Sequence, residues 1–267
     1  MVHGVGSTHR AWLMPVREKY LTSGLTLNEL SLRVNLAKSK ISELLRGTGL
    51  YPRWEIVLSL ATELDLPQWP LLRLWQQAAL DAHKTREWIE RSGGKPFLTA
   101  GGPPLEHQAF QELVEDDYRL YAQAFLDDYQ RDTAVSDTFD ILWLSWNDAL
   151  ASYDTRHYAW QVLRACVMSR TLHLDGRPEL AHAAFDTVAL HDLTNEADRI
   201  SQIEESLNLF KAISRLPDHQ LDIIVLTHLY AMDAERVSNL LGVSLATVRS
   251  EERYAVQHLD SVICPPT

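Results

Sequence analysis

The chain has 267 residues, 46% of them apolar, with eight Trp and eleven Gly, which suffices to bury the cores of two or three domains. It contains no run of about 18 uncharged apolar residues and MVHGVGSTHR lacks the apolar centre of a signal peptide, so a membrane span and export are excluded and a cytoplasmic, nucleoid-associated protein is expected. The net charge of −11 is split: residues 1–95 hold 13 Lys/Arg against 9 Asp/Glu, a net +4, while 96–267 hold 12 against 27, a net −15, so the N-terminal part suits an anionic partner and the rest repels one.

Apolar residues recur every three or four positions, as with Leu58, Leu60, Ala61 and Leu64 or Phe139, Leu142, Trp143 and Trp146, and strand-like alternation is almost absent. An all-α protein of several small bundles is predicted. In TLNELSLRVNLAKSKISELLRG, residues 26–47, Thr26 caps a helix with apolar positions Leu27, Leu30 and Val34. Asn35 tolerates the left-handed turn that follows, and Leu36 and Ile41 anchor a second helix ending at Gly47. Opposite Ile41, Leu44 and Leu45 that helix carries Lys38, Ser39, Lys40, Ser42 and Arg46, a donor-rich face suited to phosphates and base edges.

These residues resemble the lambda-repressor-like (Xre-type) helix-turn-helix family, and the resemblance continues through YPRWEIVLSLATELDLPQWPLLRLWQQA. It implies a five-helix domain over residues 10–90 whose second motif helix enters the major groove of double-stranded DNA. The implied contacts are Thr26, Asn28, Lys38, Ser39, Lys40, Ser42, Arg46 and Arg53. Leu27, Asn35 and Ala37 stand where the family commonly has a Gln, a Gly and a capping Ser.

RSGGKPFLTAGGPPL, residues 91–105, holds four Gly and three Pro and is predicted to be an interdomain linker. Residues 106–175 follow as a helical domain with 5 Lys/Arg against 13 Asp/Glu. Phe110, Leu113, Tyr118, Tyr121 and Phe125 form one predicted stripe, and TFDILWLSWNDAL and HYAWQVLRACVMSRTL two further amphipathic helices. AFQELVEDDYRLYAQAFL, DTFDILWLSW and YAWQVLRACVMSR resemble sigma region two, which implies contact with the RNA polymerase clamp and the melted −10 strand. Thr133 and Ser136 replace the Asp and Gln common there. The residues themselves give Trp143, Trp146, Tyr158 and Trp160 a core role: their spacing is helical, and Arg156, Arg164 and Arg170 make a thin positive groove for single-stranded DNA. LDGRPEL interrupts the pattern near residue 177, and 176–205 is read as a helical linker.

The last segment, 206–262, includes LPDHQLDIIVLTHLYAMDAERVSNLLGVSLATVRSEERYAVQHL. Pro217 opens a helix to Leu229, a shorter helix ends at Leu241, and Gly242 precedes a Ser244 cap, giving a second helix-turn-helix. It resembles region four of the extracytoplasmic-function sigma factors, which reads the −35 promoter element, at Leu216, Pro217, Leu241, Gly242, Val243, Ser244, Thr247, Val248, Arg249, Ser250, Ala255 and Leu259. A second set of DNA contacts is implied at Ser244, Thr247, Arg249 and Arg253. Glu251 and Glu252 fall where the family places Arg or His, and a carboxylate on a phosphate-facing surface opposes binding by counterion release. The helix is therefore expected to keep its fold and to serve protein contact at least as readily as DNA.

No GxxxxGK[ST], GxSxG, HExxH or Cys/His cluster with zinc spacing occurs. His173, His182 and His191 recur every nine residues, two and a half turns, so consecutive members would face opposite sides of one helix; Asp116–Asp117 and Asp127–Asp128 read as solvated faces, and Cys166 and Cys264 as reduced thiols. No catalytic residue, cofactor or metal is expected. Three readings stay open. One is a DNA-binding transcriptional regulator, a homodimer whose acidic sigma-like half serves dimerisation, RNA polymerase or a sigma or anti-sigma partner. Another is an active sigma factor that directs core polymerase to promoters. The third is a sigma-mimic antagonist that binds protein and no DNA.

Overall fold

The computed structural model describes residues 6–93, 102–181 and 207–263. Among these the fold is all-α apart from one two-residue hairpin. The chain divides into two compact units, residues 1–109 with 137–148, and residues 110–136 with 149–267. Of the expected linkers, 94–101 and 182–205 lie outside the described residues, as do His182, His191 and Cys264.

The first unit begins with α1 (Ser7–Thr22), α2 (Leu27–Arg33), α3 (Lys38–Arg46), α4 (Trp54–Glu63), α5 (Gln68–Asp81) and α6 (Arg86–Gly93). Helix α1 packs on α3 and α5, and α4 and α6 on α5. Trp12, Val16, Leu30, Ile41, Leu60 and Trp75 are fully buried. Trp75 sits among aromatic rings, with centroids 5.9 Å from Tyr51, 5.7 Å from Trp54 and 5.8 Å from Trp88. The Tyr51 hydroxyl donates to the Trp75 carbonyl at 2.6 Å, and Trp75 Nε1 donates to the Pro52 carbonyl at 3.1 Å. Buried Tyr and Trp need partners for their polar ends, and these two bonds pin the chain just after α3.

Residues 137–148 complete this unit. They comprise the end of α8 (Asp128–Leu144) and the start of α9 (Trp146–Ala151). Leu144 joins the hydrophobic core, buried His107 donates from Nε2 to the Phe139 carbonyl at 3.0 Å, and Arg73 of α5 pairs with both Asp137 and Asp140. One guanidinium cannot fully offset two buried carboxylates. Burial, with Asp137 adding repulsion, pushes Asp140 up to about 7 against its ordinary 3.8, although Arg73 pulls the other way. The folded protein then holds a proton that the unfolded chain has already released, so stability is greatest in acid and falls as pH rises from about 4 to about 7. Asp140→Asn removes this slope, and urea unfolding of the first unit at pH 5 and pH 8 measures it.

The second unit contains most of α7 (Leu105–Gln123), the start of α8, and α10 (Thr155–Met168). It continues with β1 (His173–Leu174), β2 (Arg177–Pro178), a helical stretch over 207–213, α11 (Asp218–Ile224), a π-helical turn Val225–Leu229, α12 (Ala234–Leu241) and α13 (Leu245–Ile263). The buried face of α7 includes Val114, Tyr118 and Tyr121, with Phe125 buried just past its end, and Leu113 is 65% exposed, so the expected stripe is out of phase at its second member. Trp146 and Trp160 are buried and Trp143 and Tyr158 half-buried, in keeping with a packing role. Cys166 is buried, outside any disulfide among the described residues. Residues 176–181, read as the start of a helical linker, are not helical. Asp175 and Gly176 both take positive φ, 52° and 75°, the two-residue turn that Asp-Gly favours, and pair β1 with β2.

Candidate nucleic-acid interfaces

The α2–α3 pair is a tight helix-turn-helix. Thr26 caps α2 in a capping box with Glu29: its hydroxyl accepts from the Glu29 amide at 3.2 Å, and its own amide donates to Glu29 Oε2 at 2.8 Å. Asn35 turns the chain at φ 49°, and the Ser31 hydroxyl closes the turn by donating to the Leu36 carbonyl at 2.6 Å. Ser31 escaped the sequence reading, although a Ser placed just before a turn is positioned for such a bond. Gly47 ends α3 in the left-handed conformation.

Helix α3 buries Ile41, Leu44 and Leu45 and exposes Lys38, Ser39, Lys40 and Arg46, with Ser42 half-buried. Asn28 and Arg53 are exposed as well. Ala37 provides no side-chain cap, so the first amides of α3 remain available at the positive end of its dipole, where phosphate is favoured. At 100° per residue, Ser39 and Arg46 centre on the face away from the core, flanked by Lys38 and Lys40. Glu43 shares that centre and was missed. It pairs with Lys40 at 3.1 Å, and an acidic side chain there can accept from a cytosine amino group. The Arg46 guanidinium folds back, Nε donating to the Ser42 carbonyl at 3.1 Å.

The second helix-turn-helix is α12 and α13. Asp233 caps α12 through the Arg236 amide at 2.8 Å, and Ser244 caps α13 through the Thr247 amide at 3.1 Å. Gly242 joins them at φ 63°, with no room for a side chain: a Cβ there would lie 2.3 Å from the His157 backbone nitrogen. His157 Nδ1 donates to the Leu241 carbonyl at 3.1 Å and Arg156 donates to Asn239 Oδ1 at 2.7 Å, so the first turn of α10 seats on this motif. Gly242→Ala forces a left-handed alanine against α10, a loss of at least about 2 kcal/mol, which thermal unfolding of the second unit measures.

Asp222 of α11 underpins the motif. It is buried, and it accepts from the Tyr121 hydroxyl at 2.6 Å, from Trp160 Nε1 at 3.0 Å and from Arg164 Nε at 3.0 Å. Burial raises its pKa, and those three donors offset part of the rise. Burial also drives the Tyr121 hydroxyl far above its ordinary range.

Glu251 and Glu252 are turned into the unit, contrary to the expectation that they face phosphate. Glu251 Oε2 accepts from Gln220 of α11 at 3.0 Å, and Glu252 lies 3.2 Å from His228 Nε2 on the π-helical turn. The buried line of α13 is Val248, Ala255 and Leu259, and the two acids lie on its flanks. Arg249, Arg253, Tyr254 and Gln257 are exposed, with Arg249 and Arg253 one turn apart on the same face. Ser244 and Thr247 are exposed at the start of the helix.

Residues 212–260 match the family model of sigma-70, region 4. No curated protein matches the chain. Region 4 is a DNA-binding helix-turn-helix element of sigma factors, consistent with a transcription-related and non-enzymatic role. The matched residues include α11 to α13 and with them the exposed Arg249 and Arg253. Among the described residues no group of three or more His, Cys, Asp or Glu could hold a metal ion, and no helix is long and apolar enough to cross a membrane.

Proposed function

We propose that this protein is a promoter-binding transcriptional regulator in which a repressor-like α2–α3 motif grips double-stranded DNA and the region 4 module addresses the transcription machinery. The observation that carries the reading is α3: exposed Lys38 and Lys40 lie at an uncapped helix start, where fixed amides and mobile cations can act on the same phosphates, and exposed Arg46 carries positive charge to the last turn of the same helix. Thr26, Asn28, Ser39, Ser42 and Arg53 complete the proposed contacts, and a homodimer on a two-fold site suits such a motif. Core RNA polymerase, or a sigma or anti-sigma partner, is the proposed protein contact of the sigma-like half. Binding-site selection with the full-length protein tests the reading. One enriched motif is expected, and a pool that stays random through the rounds removes it.

A second reading, an active sigma factor, is favoured by one observation: Glu251 and Glu252 are engaged by Gln220 and His228, and α13 presents Arg249 and Arg253 exposed one turn apart. In that case Ser244, Thr247, Arg249 and Arg253 contact the −35 element. Reconstituted transcription separates the two. Initiation by purified protein with core polymerase at the selected promoter establishes the sigma reading, and a silent reaction leaves the regulator.

A further inference from the structure

Where α10 meets α11, the turn at Gly242 and α13, the second unit forms a pocket of about 240 Å³ that opens to solvent. Trp160, Ile223, Leu241 and Val243 supply its apolar wall, and Asp222 and Glu251 its carboxylates. The walls are fixed before any ligand arrives: Gly242 has no free space toward His157, and Asp222 is saturated by Tyr121, Trp160 and Arg164.

We propose that this cavity binds a small single-ring organic cation, an aromatic amidine or amine. Size sets the first limit, since a cavity of about 150 Å³ accepts one benzene ring, so 240 Å³ takes a ring with a short charged group. Charge sets the second. Asp222 and Glu251 line the space and Asp218 stands beside it, while Arg164, bonded to both Asp218 and Asp222, is the cation that opposes them. The lining contains no Lys or Arg, and Arg164 offsets Asp218 and Asp222 in part, so an anion entering it meets Glu251 with only the His157 and His219 rings as other basic groups in the lining.

Hydrogen bonding sets the third limit. Glu251 gives one oxygen to Gln220 and keeps the other as an acceptor. The His157 Nδ1 proton is committed to the Leu241 carbonyl, so that nitrogen offers nothing to a ligand. A ligand therefore has to donate, and an indole wall adds attraction for a cation. The inference shares one lining residue, Thr247, with the second reading and none with the α2–α3 motif, and its test reads ligand binding without DNA.

Calorimetric titration of the full-length protein with benzamidine, benzoate and benzyl alcohol tests it. Benzamidine is expected to bind at least about tenfold more tightly than either of the others. Glu251→Gln, which keeps the shape and the Gln220 contact, is expected to cost benzamidine about tenfold. Equal binding of benzoate or benzyl alcohol, absence of a benzamidine signal at millimolar concentration, or unchanged affinity in Glu251→Gln each overturns the proposal. The comparison among ligands uses the unmodified protein and so decides even if the variant fails to fold.

Discussion

Replacing Lys38 and Lys40 together by glutamate is expected to remove the proposed specific DNA binding by the full-length protein. Each phosphate neutralised by a lysine releases roughly one counterion, so log K falls with log salt at a slope of about 0.9 per contact. Two lysines replaced by alanine lower the slope by about 2, and reversal to glutamate also places carboxylates beside the uncapped start of α3, where the dipole otherwise favours phosphate. An affinity loss of at least about a hundredfold near 0.1 M salt follows. Lys40 already shares its charge with Glu43, so Glu43→Gln is expected to strengthen binding to all sequences while weakening discrimination at the base pair that Glu43 faces. Fluorescence anisotropy across a salt series measures both. Unchanged affinity in the double glutamate variant would eliminate the α2–α3 motif as the DNA contact.

Asp222→Ala is expected to be the most destabilising single change in the second unit. It leaves Arg164, whose side chain is 16% exposed, with the exposed Asp218 as its one remaining carboxylate among those named, and removes the acceptor from the Tyr121 hydroxyl and from Trp160 Nε1 at once. Breaking a buried ion pair on one side costs about 3–5 kcal/mol, and the two orphaned donors add to that. Asp222→Asn, which keeps an acceptor of the same size, is expected to cost less. Denaturant unfolding followed in the second unit gives the values, and Asp222→Ala within about 1 kcal/mol of the unmodified protein would show that the network contributes little.

The two helix-turn-helix turns were legible in the sequence because they depend on single residues with local reasons. Asn35, Gly47 and Gly242 adopt the left-handed conformations their positions demanded, and Ser244 caps α13. The fold class followed from periodicity, yet phase was less secure: the α7 stripe runs through Val114, since one residue of rotation moves Leu113 into solvent. The Asp175–Gly176 hairpin carried its own signal and was obscured by helical surroundings. Side-chain direction was the least legible feature. Glu251 and Glu252 look like intruders on a DNA-facing helix until Gln220 and His228, more than twenty positions away in sequence, turn out to be their partners, while Glu43 drew no notice and stands in the middle of the basic face. Arg73 with Asp137 and Asp140 could not be paired from sequence at all, because a contact spanning more than sixty residues leaves no local trace.

That last contact bears on how this protein can be taken apart. A fragment ending in the Gly/Pro run near residue 95 keeps both helices of the first motif but loses Leu144 from its core and leaves Arg73 with neither of its carboxylates. Domain exchange at that run, whether by recombination or by chimera construction, would hand on an incomplete first unit. The working boundary for transplanting the α2–α3 motif with its whole unit lies beyond Asp148, some fifty residues past the place where composition would put the scissors.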